Sequence, residues 1–95
     1  MRGSTPKVRE SKERMELLEV EITCPLTFEI MMNPVICEDG VTYDQSAIQD
    51  WFKYKNTSPV TKQRLLNKDL IPNIAVRSSV QEYLYLKDMI ERKIN

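Results

Sequence analysis

Apolar residues along this 95-residue chain change their spacing from segment to segment. Residues 1–10 are polar, with Gly3, Ser4 and Pro6. Met1-Arg2-Gly3-Ser4 reads as a tag remnant and the lead as disordered. Between Ser11 and Glu21, Met15, Leu17, Leu18 and Val20 sit among helix formers, which predicts a short helix over 11–21. Pro25 stops anything helical before it. Val35, Ile36 and Cys37 suit a strand, Glu38-Asp39-Gly40 a tight turn, and Val41, Thr42 and Tyr43 a returning strand, so a β-hairpin is expected. Ala47, Ile48, Trp51 and Phe52 then recur at helical spacing. Asp44 is placed to cap that helix, and Ser46 with Gln49 forms a competing capping box. Asn56-Thr57-Ser58-Pro59 ends it and opens a loop.

The last third of the chain carries a second helical pattern, with Asn73 as its cap. Val76, Val80 and Leu84 lie on one row, and Tyr83, Leu86, Ile90 and Ile94 on another. Two apolar rows exceed what a small core needs. Either one row faces a partner or a second copy of the chain, or the helix packs back on the N-terminal segment; the pattern leaves both open. No internal repeat or low-complexity tract is visible. The elements add up to one small α+β domain.

Composition narrows the chemistry. The charges balance, with 14 basic and 14 acidic residues, which argues against a nucleic-acid module and its basic stripe. Lys53, Lys55, Lys62, Arg64 and Lys68 make a local basic stretch, read as a solvated face. There are two cysteines and no histidine, too few soft ligands for a structural zinc site. Cys24 and Cys37 are expected as reduced, buried thiols, and no cofactor is implied. No stretch is long and apolar enough for a transmembrane helix. A domain this small is only marginally stable, so something must supplement its core.

Cys24-Pro25-Leu26, Pro34-Val35, Gly40, Thr42-Tyr43, Ile48, Trp51, Ser58-Pro59, Thr61, Leu65, Leu70, Pro72-Asn73 and Arg77 occur in an order and spacing that resembles the U-box domain, the zinc-free relative of the RING finger. The resemblance covers residues 22–86, with 87–95 extending the C-terminal helix. It implies a RING-like fold with two long loops, near 23–32 and 55–64, a short antiparallel sheet, a central helix and a C-terminal helix. The eight RING ligand positions fall on Cys24, Thr27, Asp39, Val41, Asp44, Ala47, Ser58 and Thr61. Only Cys24 is a soft ligand. Thr27, Asp39, Asp44, Ser58 and Thr61 are short polar side chains able to bond nearby amides, so the loops are expected to be pinned by hydrogen bonds in place of metal.

The resemblance implies a ubiquitin-protein ligase module. Such a module recruits a ubiquitin-conjugating enzyme charged with ubiquitin and promotes transfer to a substrate lysine by positioning, without a catalytic residue of its own. Leu26, Phe28, Trp51, Ser58 and Pro59 would form the binding groove. Lys62 stands where active members often carry an arginine that restrains the thioester-linked ubiquitin. The alternative is a degenerate U-box acting as a scaffold or dimerisation module, including a homodimer through the C-terminal helix. A cysteine-nucleophile mechanism lacks a histidine base. The resemblance also implies action in the cytoplasm or nucleus of a eukaryotic cell, whether by a native protein or a delivered bacterial effector. The substrate is not encoded here.

Overall fold

A computed structural model describes residues 8–94. Helix α1 spans Val8–Ile22, strands β1 and β2 span Pro34–Ile36 and Thr42–Asp44, helix α2 spans Gln45–Phe52, strand β3 spans Ile71–Pro72, and helix α3 spans Ile74–Ile94. The expected hairpin pairs Val35 with Tyr43 and Ile36 with Thr42, and the ladder is carried into the turn by Cys37 N–H donating to the Val41 carbonyl at 3.0 Å. The turn closes through Gly40, whose φ of +79° suits a residue without a Cβ. A third strand adds Ile71 and Pro72 antiparallel to the outer side of β1, giving the order β2-β1-β3. Nothing in a two-residue Ile-Pro segment announces a strand; the pairing is imposed from outside, with Asn73 N–H donating to the Pro34 carbonyl at 2.9 Å.

Tyr43, Ile48, Cys24, Met31, Val35 and Cys37 form the core between sheet, α2 and the first loop. Both cysteines are free and buried. The core continues outward between α1 and α3. Leu18 and Ile22 of α1 are buried together with Val76, Val80, Tyr83, Leu86 and Ile90 of α3. The two rows expected on the C-terminal helix therefore merge into one buried stripe, and the helix packs on the N-terminal segment. Leu84, 39% exposed, is left outside that stripe. Ile94 lies in the helix, but its side chain is outside what is described.

Helix α1 begins at Val8, three residues before the expected start, so residues 8–10 are helical where a disordered lead was expected. The cause is tertiary. Ser11 is already buried at 2% exposure, Arg14 makes a two-pronged contact with Glu82 at 2.9 and 3.0 Å, and the Tyr83 hydroxyl donates to Glu19 at 2.9 Å. A helix held along its length by a neighbour extends further than its own propensity supports. The tag reading of residues 1–4 lies outside the described residues.

Asn73 caps α3 as its position suggests, its Oδ1 accepting from Val76 N–H at 3.1 Å. Asp44 does not behave as expected. It occupies the cap position of α2 with extended backbone, yet its side chain makes no capping bond. Its carboxylate turns to the first loop, accepting from Asn33 N–H at 3.1 Å and from the Ser46 hydroxyl at 2.7 Å. Ser46 lies within the helix, so the competing capping box is not formed either.

Candidate docking groove between two twinned loops

Residues 23–30 read TCPLTFEI and residues 57–64 read TSPVTKQR. The two segments have the same hydrogen-bond plan. Each is closed at its ends by an isolated antiparallel bridge, Thr23 with Ile30 and Thr57 with Arg64. Inside that bridge, Cys24 N–H donates to the Glu29 carbonyl and Ser58 N–H to the Gln63 carbonyl, both at 2.8 Å. A tighter bond turns each tip, Phe28 N–H to the Cys24 carbonyl at 2.7 Å and Lys62 N–H to the Ser58 carbonyl at 2.9 Å. Both tips end in a left-handed residue, Phe28 at φ +63° and Lys62 at φ +69°. Thr27 and Thr61 each accept, at 3.3 Å, the amide two residues on. A short internal repeat is thus present, although the sequence pattern did not reveal it. Only Thr, Pro and Thr are shared at fixed positions, and the equivalence of Cys with Ser and of Phe with Lys lies in the backbone.

The loops differ in how they are tied to the rest of the molecule. Asp39, at the hairpin turn, ties down the second loop. Its Oδ1 accepts from Val41 N–H at 2.9 Å, and its Oδ2 accepts from the Ser58 hydroxyl at 2.6 Å and the Tyr43 hydroxyl at 2.8 Å. The Ser58 oxygen in turn accepts from Val60 and Thr61 N–H at 3.1 and 2.9 Å. Hydrogen bonds to an ionised carboxylate are worth about 1.5–3 kcal/mol each when buried partners are involved. The first loop is tied by Asp44, through Asn33, and by Cys24, whose sulfur accepts from Asp44 N–H at 3.4 Å. Thr27 and Thr61 bond only within their own loops. Val41 and Ala47 pack against the core.

Three groups in this framework have bonds beyond the roles their sequence positions suggest. Tyr43 reads as a core aromatic but also donates to Asp39. Burial pushes its phenol well above its ordinary pKa, opposed by the Ser58 contact and reinforced by Asp39, so it stays a neutral donor. Glu38 reads as a turn residue, yet its carboxylate accepts from Leu66 N–H at 2.6 Å and holds the segment after the second loop. Asn73 donates through its amide to Thr42 Oγ1 at 2.9 Å, joining the start of α3 to the hairpin.

Between the first loop and α2 lies a shallow depression of about 230 Å³ lined by Leu26, Thr27, Ala47, Asp50 and Trp51. Leu26 comes from the first loop and Trp51 from α2. The Trp51 indole is fixed edge-on, its Nε1–H donating to the Thr57 carbonyl at 2.6 Å. Phe28 stands 80% exposed at the tip of the first loop. Ser58 has no exposed surface at all, and Pro59 is buried, so Ser58 shapes the groove through its loop and does not touch what enters it. Two lysines from the second loop region lie over Trp51. Lys55 Nζ is 5.4 Å and Lys62 Nζ 5.7 Å from the ring centroid. Among the described residues no group of three or more His, Cys, Asp and Glu is placed to hold a metal ion.

Comparison with known proteins agrees with this architecture. A family model described as the U-box domain matches residues 20–89. U-box domain-containing protein 36 of Arabidopsis thaliana is 43% identical over 70 residues, which is 73% of this chain and 16% of that protein. E3 ubiquitin-protein ligase PUB23 of the same plant is 42% identical over 74 residues, covering 72% of this chain and 18% of the ligase. A probable bifunctional E2/E3 enzyme, R795, of Acanthamoeba polyphaga mimivirus is 35% identical over 89 residues, 94% of this chain and 7% of that protein. The chain spans no more than about a fifth of the length of the curated relatives it matches.

Proposed function

The chain belongs to the U-box family, and from that premise we propose that it is a ubiquitin-protein ligase module, receiving a ubiquitin-charged conjugating enzyme in the groove and promoting transfer to a substrate lysine. The observation that carries this reading is the pairing of Leu26 and Trp51 in one depression, Leu26 on a loop made rigid by its own hydrogen bonds and Trp51 on α2 with its indole bonded to Thr57. Aromatic and aliphatic anchors on rigid supports make good hot spots because little entropy is lost when a partner docks. Phe28, exposed at the neighbouring tip, extends the apolar surface the partner meets. Ser58 and Pro59 hold the second wall in place.

The chemistry asked of this chain is positioning. Burial pushes the Cys37 thiol up, away from the thiolate a nucleophile needs, and the chain has no histidine to act as a base. The transferred ubiquitin therefore passes from the conjugating enzyme to the acceptor without a covalent stop on this domain. Lys62 restrains the charged ubiquitin, as a point donor where arginine would offer a planar fork. On this reading the domain would act in the cytoplasm or nucleus of a eukaryotic cell, as a native protein or a delivered effector. Leu84 and Tyr85, left exposed outside the buried stripe of α3, are the surface through which a second copy would dock.

Autoubiquitination across a panel of conjugating enzymes tests the reading. Ubiquitin chains are expected with some of them. Leu26→Ala is expected to abolish the signal while circular dichroism stays native, since losing a hot spot costs about 2 kcal/mol, roughly thirtyfold in affinity. Intact folding with no binding to any conjugating enzyme would instead establish a scaffold. At saturating domain, Lys62→Arg is expected to speed discharge of ubiquitin from the charged enzyme and Lys62→Ala to slow it.

A further inference from the structure

The basic stretch between Lys53 and Lys68 divides into cations that are accounted for and cations that are not. Lys53 pairs with Asp50 at 3.3 Å. Lys68 donates to the Phe52 carbonyl at 3.2 Å and lies over the Phe52 ring. Lys55 and Lys62 have no carboxylate partner among the described residues, and both lie over Trp51. They arrive from different directions, Lys55 just past the end of α2 and Lys62 from the tip of the second loop. Their backbones are fixed, Lys55 N–H donating to the Trp51 carbonyl at 3.1 Å and Lys62 N–H to the Ser58 carbonyl at 2.9 Å.

Sharing one ring keeps the two ammonium groups within about 11 Å of each other, close to a Debye length at ~0.1 M salt, so they repel without being fully screened. Cation–π contact with an exposed ring offsets this by only about 0.5–1 kcal/mol each. A carboxylate docking beside the ring would offset the repulsion and gain a charge-assisted bond. Asp50, beside Trp51 in the lining of the depression, is paired with Lys53, so the charge left unmatched at this rim is the basic one over Trp51.

We propose that Lys55 and Lys62 are a carboxylate-receiving pair on the rim of the groove, and that they select, among conjugating enzymes, those that present an acidic side chain to the outer face of Trp51. The proposal rests on the reading of the groove as the docking site for such an enzyme. The selection acts on the uncharged enzyme, before ubiquitin is involved. Charge pairs of this kind act mainly on association rate and on the choice of partner.

The test uses the intact chain and a panel of uncharged conjugating enzymes. Trp51 is the sole tryptophan, so selective excitation of the domain's indole in a tryptophan-free enzyme, or isotope-labelled domain otherwise, gives the affinity. For the preferred enzyme, Kd is expected to rise with salt. Lys55→Gln and Lys62→Gln should each weaken binding severalfold, and the double variant at least tenfold, while Lys12→Gln on α1 leaves it unchanged. Zero-length carbodiimide coupling, which joins an amine only to a carboxylate it touches, should yield cross-links from Lys55 or Lys62 into one acidic segment of the enzyme. The Lys55→Glu, Lys62→Glu double variant should then prefer an enzyme carrying lysine at the cross-linked position. The inference is overturned if a complex forms and Leu26→Ala breaks it, yet the double glutamine variant binds like the parent. Absence of any complex at any salt overturns the docking reading itself, and this one with it.

Discussion

Asp39 is the residue on which most of the second loop depends. Its two oxygens accept from Val41, Tyr43 and Ser58, which belong to the turn, the sheet and the loop. Asp39→Ala leaves two hydroxyls and an amide without their partner, and a loss of about 3 kcal/mol or more is expected in urea unfolding. Ser58→Ala breaks as many bonds, one to Asp39 and those from the Val60 and Thr61 amides, and should cost a comparable amount. The same hub sets an alkaline limit. The folded Tyr43 phenol ionises above its ordinary value near ~10, so its contribution is fully present below that pH and is lost as pH rises further. Burial shifts Tyr83 and Cys37 in the same direction. The melting temperature should fall above about pH 10, and less steeply in Tyr43→Phe, which starts lower. Asp39, Asp44 and Ser58 could be picked from the sequence because a short polar side chain in a loop has few uses other than bonding backbone. Tyr43 and Glu38 could not, since Tyr43 reads as a core aromatic whatever its hydroxyl bonds, and the partner of Glu38, Leu66, is 28 residues away. The capping role expected of Asp44 failed for a related reason: Asn33, brought close by the hairpin, offers its amide in competition with the helix end.

Among the elements, those whose stability is local were legible and those fixed by packing were not. The hairpin announces itself through Asp39-Gly40, and α2 through its apolar spacing. The length of α1, the existence of β3 and the merging of the two rows of α3 depend on neighbours. Leu18 and Ile22 are buried in one cluster with the apolar stripe of α3. Leu18→Ala is therefore expected to cost about 2–5 kcal/mol, as for other core leucines, and to raise hydrogen exchange in α3 as well as in α1. The twinned loops were missed for the opposite reason. Their likeness is almost wholly in main-chain bonds, and a repeat of backbone geometry leaves few marks on side chains. The left-handed tips are its cost. A residue with a Cβ in that region is disfavoured by about 1–2 kcal/mol, so Lys62→Gly should raise the melting temperature by a few degrees even as it removes the lysine from the groove. Thermal melts alongside binding measurements would separate the two effects.

For the molecule as a whole, polar ties stand where the related zinc fold has ligands. Soaking with a strong chelator is expected to leave the melting temperature unchanged. The groove was legible as a set of residue types through family resemblance, and its unmatched basic rim was not, because the sequence shows Lys55 and Lys62 only as members of a basic run. The ties also fix an order of events as the chain leaves the ribosome. The main-chain bonds of the first loop lie within residues 22–31, so they can form once Met31 is available to bond Ile22, while its ties to Asp44 wait for the hairpin. The second loop must wait for a chain that reaches Arg64, and α3 is last. Until residues 76–90 emerge, α1 carries Leu18 without the α3 stripe that packs beside it. Within this domain α1 is made well before the helix that covers it, and in that interval its bare apolar face is the natural target for a chaperone.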